Sequence, residues 1–168
     1  MITPAHAQRM ALYNRWQNQN LYGTADRLPA SERNRQTGAF FGSIHGTLSH
    51  LIFGDQAWLH RFDPGQPAPR AKSIAESTTA IPDWEDLKRE RAALDATIIA
   101  WAGDLEPAWL AGDLAWYSGA MKRDFTTLKW VAVTHFFNHQ THHRGQVHCM
   151  LTQAGVKPSD TDLPFMEM

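Results

Sequence analysis

The segment from residue 128 to residue 150 repeats apolar and histidine side chains at helical spacing, and this pattern constrains the fold more than any other feature. Successive residues of an α-helix turn by about 100°, so side chains three or four positions apart share one face. That face carries Leu128, Ala132, His135, His139, His143, Gln146, Val147 and Met150. Such a helix buries its face against other helices, so we expect an all-α fold in which these histidines face the core.

Three earlier segments show the same periodicity, and their ends carry capping or helix-breaking residues. Thr3 and Asp83 are N-cap residues by type and position, and Gly155 is suited to end the last helix. The four predicted helices run from Pro4 to about Leu28, from Phe40 to about Asp63, from Trp84 to about Gly103, and from Thr126 or Thr127 to about Ala154. Their simplest arrangement around one core is a four-helix bundle.

The connections between these helices differ in character. Prolines and a glycine between residues 64 and 82 exclude a continuous helix, so we expect a long crossover between the second and third helices. Before the fourth helix, segments 114–117 and 120–125 flank Ser118 and Gly119, which predicts a short β-hairpin. The sequence shows no internal repeat, and its length suits one domain spanning residues 1–168.

Charge and composition exclude several classes of function. The 168 residues carry a formal net charge of -1 without a basic run, which argues against a nucleic-acid partner. No apolar stretch approaches the length that spans a membrane, and the N-terminus lacks the pattern of a secretory signal. The one cysteine, Cys149, excludes an internal disulfide and is expected to be a small packed thiol. We therefore expect a soluble, cytoplasmic protein.

Nine histidines are present, and five of them lie between His135 and His148. His139 and His143 are one helical turn apart, so their imidazoles can reach the same point. A single histidine on a core face is more often part of a hydrogen-bonded structure than a metal ligand. Several buried imidazoles, however, need partners to offset their lost solvation, and one shared cation satisfies them together. The pair therefore predicts a site for a divalent metal.

A third ligand is expected from a facing helix, because two imidazoles leave a transition metal short of ligands. The second helix offers His45 and His50. Its small residues form a separate face, which includes Ser43, Gly46, Thr47, Gly54 and Ala57. His50 lies within this face, where a neighbouring helix can approach closely, whereas His45 borders the large apolar side chains. Spacing favours His50 slightly, and His45 stays open as the alternative.

Three motifs lie on the first, second and fourth predicted helices. They are Tyr13-Asn14-Arg15-Trp16, then Ile44-His45-Gly46-Thr47-Leu48-Ser49-His50-Leu51 with Asp55 and Trp58, and finally His135-Phe136-Phe137-Asn138-His139-Gln140-Thr141-His142-His143-Arg144-Gly145-Gln146. They resemble the DinB/YfiT-like family of the DinB superfamily, regarded as metalloenzymes, and the resemblance covers essentially the whole chain. It implies a four-helix bundle with a long second crossover, and a metal held by His50, His139 and His143.

Supporting roles are expected for residues around these ligands. The resemblance implies such positions for His45, His135 and His142. Asp55 and Gln146 could orient ligand imidazoles through hydrogen bonds, although local hydrogen bonding is the simpler interpretation. No catalytic residue, and in particular no general base, can be identified from the sequence.

Other polar and aromatic residues have structural interpretations. Asn14 and Asn18 either face the site or form interhelical hydrogen bonds, and Arg144 is expected to form a structural pair. Exposed aromatic residues on the first and fourth helices suggest that the protein forms a homodimer.

The expected chemistry follows from three neutral imidazoles. This donor set suits Zn(II), Ni(II), Fe(II) or Mn(II) and leaves coordination positions open. Such an ion lowers the pKa of a bound water or thiol, which produces a nucleophile near neutral pH. The wider superfamily is similar to transferases and isomerases that use low-molecular-weight thiols. The first hypothesis is therefore a metal-dependent thiol S-transferase acting on a small-molecule substrate. The alternatives are a metal-dependent hydrolase and a non-catalytic stress-response or binding module with a structural metal.

Overall fold

Helices make up most of the computed structural model, which describes residues 1–119 and 121–166. The helices are α1 (Pro4–Ala25), α2 (Ala30–Arg33), α3 (Ile44–Phe62), α4 (Ile74–Ser77), α5 (Trp84–Gly103), α6 (Pro107–Ala111) and α7 (Lys129–Gln153). Two strands, β1 (Asp113–Ser118) and β2 (Arg123–Leu128), form an antiparallel pair, and a 3₁₀ helix spans Leu163–Phe165. Within the described residues, no helix combines the length and apolar composition that crossing a membrane requires.

The four long helices, α1, α3, α5 and α7, form the predicted bundle. Both α1 and α3 pack against α5 and α7, so α1 and α3 occupy opposite corners. Two apolar clusters fill the bundle at different levels along its axis. One includes Phe62, Trp101 and Phe136, and the other includes Leu48 and Leu151. The all-α bundle expected from the periodicity is therefore confirmed.

Capping residues set the ends of the long helices as expected. The Thr3 hydroxyl accepts a hydrogen bond from the backbone N–H of His6 at 3.2 Å, and the Asp83 carboxylate accepts one from that of Asp86 at 2.9 Å. Gly155 follows α7 with a φ of +82°, a left-handed conformation that glycine adopts without strain.

The predicted start of the second long helix is wrong. Phe40 and Phe41 lie in a turn closed by a bridge between Ala39 and Gly42, and α3 begins after its N-cap residue Ser43. The aromatic residues match the helical pattern, but the Ser43 cap defines a later start because its side chain accepts from a helix N–H.

The predicted β-hairpin is confirmed, but its second strand lies further along the chain. Residues 126–128 pair with residues 113–115 in the antiparallel register. The helix α7 consequently begins at Lys129 rather than at Thr126 or Thr127, because cross-strand pairing replaces local helix formation. The predicted segment 120–125 also includes Ala120, which lies outside the described residues.

Short elements differ most from the expectations. Periodicity does not predict α2, α4 or α6, since a helix of about one turn is too short to show a repeat. Ser73 caps α4 by accepting from the backbone N–H of Glu76 at 3.2 Å, within the long crossover that connects α3 and α5. The first helix also ends at Ala25 rather than near Leu28.

Buried polar side chains from all four long helices meet between the two apolar clusters. This polar layer consists of Asn14, Asn18, Asp55, Arg91, Asp95, Gln140 and Arg144. The two oxygens of Asp55 accept hydrogen bonds from Arg91 Nη1 at 2.7 Å and from Gln140 Nε2 at 3.0 Å. Each buried carboxylate oxygen of Asp55 therefore has a donor.

The rest of the polar layer connects α1, α5 and α7. Asp95 Oδ1 accepts from Asn14 Nδ2 at 3.1 Å and from Asn18 Nδ2 at 2.9 Å, and it also lies 2.9 Å from Arg91 Nη2. Arg144 donates to the side-chain oxygen of Asn14. Of the two interpretations of Asn14 and Asn18, the structure shows the interhelical hydrogen bonds, and the layer balances two carboxylates with two guanidinium groups.

Candidate metal centre

His50 on α3 meets His139 and His143 on α7 where these two helices pack together. The ring centre of His50 lies 5.4 Å from that of His139 and 5.1 Å from that of His143, and the last two are 4.5 Å apart. One ring nitrogen from each residue can be chosen so that all three lie within 4.8 Å of one another. The structure thus brings the three predicted ligands together in what we call the histidine cluster.

The small-residue face of α3 permits this close approach. A Cβ added to Gly54 would lie 2.8 Å from Cε1 of His139, which is closer than van der Waals contact allows. A residue larger than glycine would therefore displace the ring of His139. The expectation that small side chains admit a neighbouring helix is confirmed at this position.

The hydrogen bonds around His50 define which of its nitrogens carries the proton. The Ser77 hydroxyl donates to the carbonyl oxygen of Ile74 at 2.6 Å, which commits its only hydrogen. In the 2.9 Å contact between His50 Nδ1 and Ser77 Oγ, the ring nitrogen must then be the donor. The Nε2 atom of neutral His50 consequently carries a lone pair.

His143 has the same arrangement through a different partner. Its Nδ1 lies 2.8 Å from Gln146 Oε1, an oxygen that only accepts, so Nδ1 carries the proton and Nε2 the lone pair. The amide nitrogen of Gln146 lies 3.3 Å from His142 Nε2, which agrees with this amide orientation. Of the two interpretations of Gln146, its contact with a candidate ligand agrees with an orienting role, whereas His142 is exposed and contacts Gln146.

His139 lies between these two rings. Its Nε2 is 3.4 Å from His50 Nε2, and its buried Nδ1 has no hydrogen-bond partner among the described residues. Two nitrogens bound to one tetrahedral ion at about 2.0–2.1 Å are separated by about 3.3–3.4 Å. The spacing of the two Nε2 atoms therefore matches the span of a shared metal ion.

Burial keeps the three imidazoles uncharged at neutral pH. It lowers the pKa of His50 to about 4 and that of His139 to about 3, and repulsion by neighbouring imidazolium groups acts in the same direction. Burial also lowers the pKa of His143, against the opposite effect of its hydrogen bond to Gln146. The ring nitrogens that carry no proton can therefore bind a cation without first losing one.

These features together fit a divalent transition metal. Imidazole nitrogens are common ligands of zinc, nickel and iron, and a metal-bound histidine usually donates its second N–H to an oxygen. His50 makes such a bond to Ser77, and His143 makes one to Gln146. The donor set, its spacing and these supporting bonds all suit one ion.

The histidine cluster is covered by an aromatic ring on one side and borders a cavity on another. The ring of Phe41 stacks on His50 with centres 3.7 Å apart and lies 5.1 Å from the ring of His143. In contrast, His50 and His139 line a cavity of about 890 Å³. The cluster is therefore covered by an aromatic ring yet borders a space large enough for a small molecule.

The position of the histidines on α7 corrects one sequence expectation. The buried face of α7 includes Phe136, Gln140 and Val147, whereas His139 is partly buried and His135 is exposed. The expectation that these histidines face the core is therefore wrong for His135 and holds only in part for His139. Large apolar side chains gain more from burial, so they occupy the centre of the face and the histidines flank it towards α3.

The remaining histidine candidates lie outside the cluster. His45 is buried, donates from Nε2 to the carbonyl oxygen of Ile81 at 2.8 Å, and packs near Trp84. His135 lines the cavity, and its ring centre lies 5.0 Å from that of Trp58. Of the two alternatives on α3, the geometry therefore places His50, and not His45, beside the pair on α7.

Asp55 belongs to the polar layer and not to the surroundings of the cluster. Its oxygens accept from Arg91 and Gln140, so the expectation that it orients a ligand imidazole is not met. Burial raises the pKa of Asp55, and the nearby charge of Arg91 acts in the opposite direction. The carboxylate takes this position because a buried guanidinium offers it a counter-charge.

Three further residues differ from the sequence interpretation. Ser77 and Phe41 shape the cluster, but Ser77 lies in a helix too short to show periodicity, and Phe41 matches a helical pattern although it lies in a turn. A serine in a proline-rich crossover gives no signal of its own. Cys149 is exposed rather than packed, because it lies on the outer side of α7.

Comparison with known proteins agrees with the motifs on α1, α3 and α7. The chain is 29% identical over 157 residues to Protein DinB of Bacillus subtilis (strain 168), and the match spans 89% of this chain and 87% of that protein. The sequence model of the DinB family matches residues 1–168. The chain therefore belongs to the DinB family.

Proposed function

We propose that the protein binds one divalent transition metal through His50, His139 and His143, and uses it to activate a thiol or water nucleophile against a small-molecule substrate. One observation carries this proposal. Three imidazoles converge beside a cavity of about 890 Å³, with two ring nitrogens 3.4 Å apart.

The donor set supports a catalytic rather than a purely structural ion. Structural zinc sites are usually closed by four protein ligands, whereas three protein ligands leave room for an exchangeable one. An ion held by these histidines would act as a Lewis acid and lower the pKa of a thiol or water ligand. The presence of an adjacent cavity gives a substrate access to that position.

The residues around the cluster have separate tasks in this proposal. Ser77 and Gln146 fix the orientation of two imidazoles through their Nδ1–H groups. Phe41 stacks on His50 and limits the access of water to that ring. His50 and His139 both line the cavity, so their rings are the ligands that a substrate would approach.

The size of the cavity favours a thiol co-substrate over water. Pockets for small molecules span about 300–1,000 Å³, and this cavity is near the upper end of that range. A hydrolase needs space for one organic substrate, whereas thiol transfer needs space for two. The thiol S-transferase is therefore the first hypothesis, and a metal-dependent hydrolase is the second.

Metal analysis combined with an activity screen tests the proposal. We expect about one metal ion per chain in the wild-type protein and a metal content near zero in His139→Ala. The control is His148→Ala, on another face of α7, which should bind as much metal as the wild-type protein. With chlorodinitrobenzene as electrophile, sulfur of an added low-molecular-weight thiol bonds to the ring carbon and chloride leaves. We expect this reaction to be lost in His139→Ala.

Each outcome has a defined meaning. Absence of a stoichiometric metal from the wild-type protein would overturn the proposal. If removal of the ion unfolds the chain and the protein shows no activity in the screen, the metal is structural and the catalytic role is overturned. Hydrolysis of an ester without added thiol would select water as the nucleophile.

A further inference from the structure

Arg61 near the end of α3 lines the cavity beside the histidine cluster. Its guanidinium carbon lies 4.6 Å from the centre of the Trp58 ring, which is a cation–π contact. The side chain is partly buried, and burial lowers its pKa without removing its charge at neutral pH. Among the described residues, no carboxylate lies within ion-pair distance of Arg61.

Several arginines of the chain form ion pairs and others do not, so Arg61 is set apart by its place on the cavity wall. Arg91 contacts Asp55 at 2.7 Å, and Arg70 on the crossover contacts Glu90 at 2.6 Å. Acidic residues are not scarce, because the chain has 17 of them against 16 lysines and arginines. The position of Arg61 therefore leaves its charge to an anion from outside the chain.

The cavity wall carries positive charge only. The described lining residues include Arg61 and Lys72 but no aspartate or glutamate. Glu76 is close in the chain, yet its carboxylate accepts from the backbone N–H of Lys72 at 3.0 Å and does not line the cavity. A cleft lined by one sign of charge concentrates ligands of the opposite sign.

Flat aromatic surfaces continue the wall from Arg61. The ring centres of Trp58 and Trp116 are 5.5 Å apart, and Phe125 stacks on Trp116 at 5.5 Å with the planes 19° apart. Aromatic side chains of this kind bind planar or apolar groups. The wall thus pairs an apolar surface with one cationic end.

The cationic end lies close enough to the cluster to act on the same molecule. His135 contacts the Trp58 ring, over which Arg61 lies, and it is one helical turn from His139. One turn rises by about 5.4 Å along the axis. A substrate that bridges these groups need only be the size of a common metabolite.

We propose that Arg61 determines specificity by binding a carboxylate of the substrate, whose planar or apolar body lies against Trp58 and Trp116. As a statement about the substrate, this inference rests on the proposed function. The fork of N–H donors on arginine matches the two oxygens of a carboxylate, and such charge-assisted hydrogen bonds are stronger than neutral ones.

A pair of probes that differ only in charge tests this inference. Naphthoate and naphthamide have the same aromatic body, and binding is measured by quenching of tryptophan fluorescence at about 0.15 M salt. We expect wild-type protein to bind naphthoate about tenfold more tightly than naphthamide. We expect Arg61→Gln to bind both within about twofold, and Arg61→Lys to keep part of the preference.

The control is Arg89→Gln, which removes the same charge from an exposed pair on α5 and should leave the preference unchanged. The inference is overturned if Arg61→Gln still prefers naphthoate over naphthamide. It is also overturned if the wild-type protein binds both probes equally, or binds neither at about 1 mM.

His139→Ala separates this inference from the proposed metal function. A preference that is lost in His139→Ala but kept in Arg61→Gln would place the carboxylate on a metal and overturn the role of Arg61. A preference kept in His139→Ala and lost in Arg61→Gln supports it, whatever metal analysis finds. Elemental analysis and the activity screen test the metal proposal without either probe, so the two failures are distinguishable.

Discussion

The polar layer and the histidine cluster both bury polar side chains from several helices, but only the polar layer balances its own charges. In the layer, carboxylates of α3 and α5 pair with the guanidinium group of Arg91 on α5, and Arg144 on α7 donates to Asn14. In the cluster, three uncharged rings place nitrogen atoms near one another, and the Nε2 atoms of His50 and His143 both carry lone pairs. The two groups lie side by side, since Gln140 of the layer follows His139 of the cluster.

This difference in charge balance separates a structural role from a binding role. Groups whose charges compensate one another need no ion from outside the chain, so the layer serves the structure. Like groups that face one another are costly unless something of opposite character binds between them. A cation is the complement of three imidazole nitrogens, which supports the proposal that the cluster, and not the layer, binds a metal.

Removal of a charge from the polar layer should have the largest effect. In Asp55→Ala, Arg91 would keep one carboxylate neighbour and Gln140 would lose its acceptor. We expect the free energy of unfolding, measured in urea, to fall by about 3–5 kcal/mol, because an uncompensated buried charge remains. Asp55→Asn is the milder variant if the alanine form does not fold, and its metal content should equal that of the wild-type protein.

The matched control for this change is Asp86→Ala on the surface of α5. Asp86 contacts Arg89 at 2.6 Å, but both side chains are exposed. Exposed pairs contribute less than about 1 kcal/mol, so little change is expected. A loss of less than about 1 kcal/mol in Asp55→Ala would contradict the structural role of the layer.

Metal addition should stabilise the protein through the cluster alone. An ion that binds only the folded state at about 100 times its dissociation constant raises the free energy of unfolding by about 2.7 kcal/mol. We expect this increment in the wild-type protein and in Asp55→Asn, and no increment in His139→Ala. Urea unfolding with zinc and with a chelator measures it. An equal increment in His139→Ala would place the ion elsewhere.

Much of the fold could be predicted from the sequence because long amphipathic helices repeat their pattern several times. The ends of α5 and α7 follow from Asp83 and Gly155, which act locally. Residues 126–128 could not be assigned in this way, since their strand depends on pairing with residues 113–115. Tertiary contacts decide such segments, and local propensity does not.

The site could be predicted in part. The spacing of His139 and His143 predicts that their imidazoles can bind the same metal ion, and the family motif selects His50 over His45. Ser77 could not be found, because its approach to His50 depends on the path of the crossover and not on any pattern. The actual role of a polar residue also depends on which helix lies opposite, as the position of Asp55 shows.

Substitution of Gly54 should weaken metal binding without a large effect on the fold. In Gly54→Ala, the new Cβ would lie 2.8 Å from His139 Cε1, so the ring must shift. We expect metal affinity, measured by competition with a chromogenic chelator, to fall about tenfold, as for other changes that misorient ligands. The control is Gly145→Ala on α7, where a Cβ would have open space. Unchanged affinity in Gly54→Ala would show that the close approach of α3 is not needed.

Acidification of the metal-free protein should lower its stability gradually, because His139 is partly exposed and solvent screens part of its charge. The ordinary pKa of 6.5 is lowered to about 4 in folded His50 and about 3 in folded His139, mainly by burial. The unfolded chain therefore binds protons first as the pH falls. The contribution of these uncharged rings to the free energy of unfolding is complete above pH 6.5 and is lost as the pH falls towards 4. Urea unfolding between pH 7.5 and 4.5 with a chelator should show this loss, with a shallower slope in His139→Gln. Equal slopes in the two proteins would mean that the cluster does not resist protonation in the folded state.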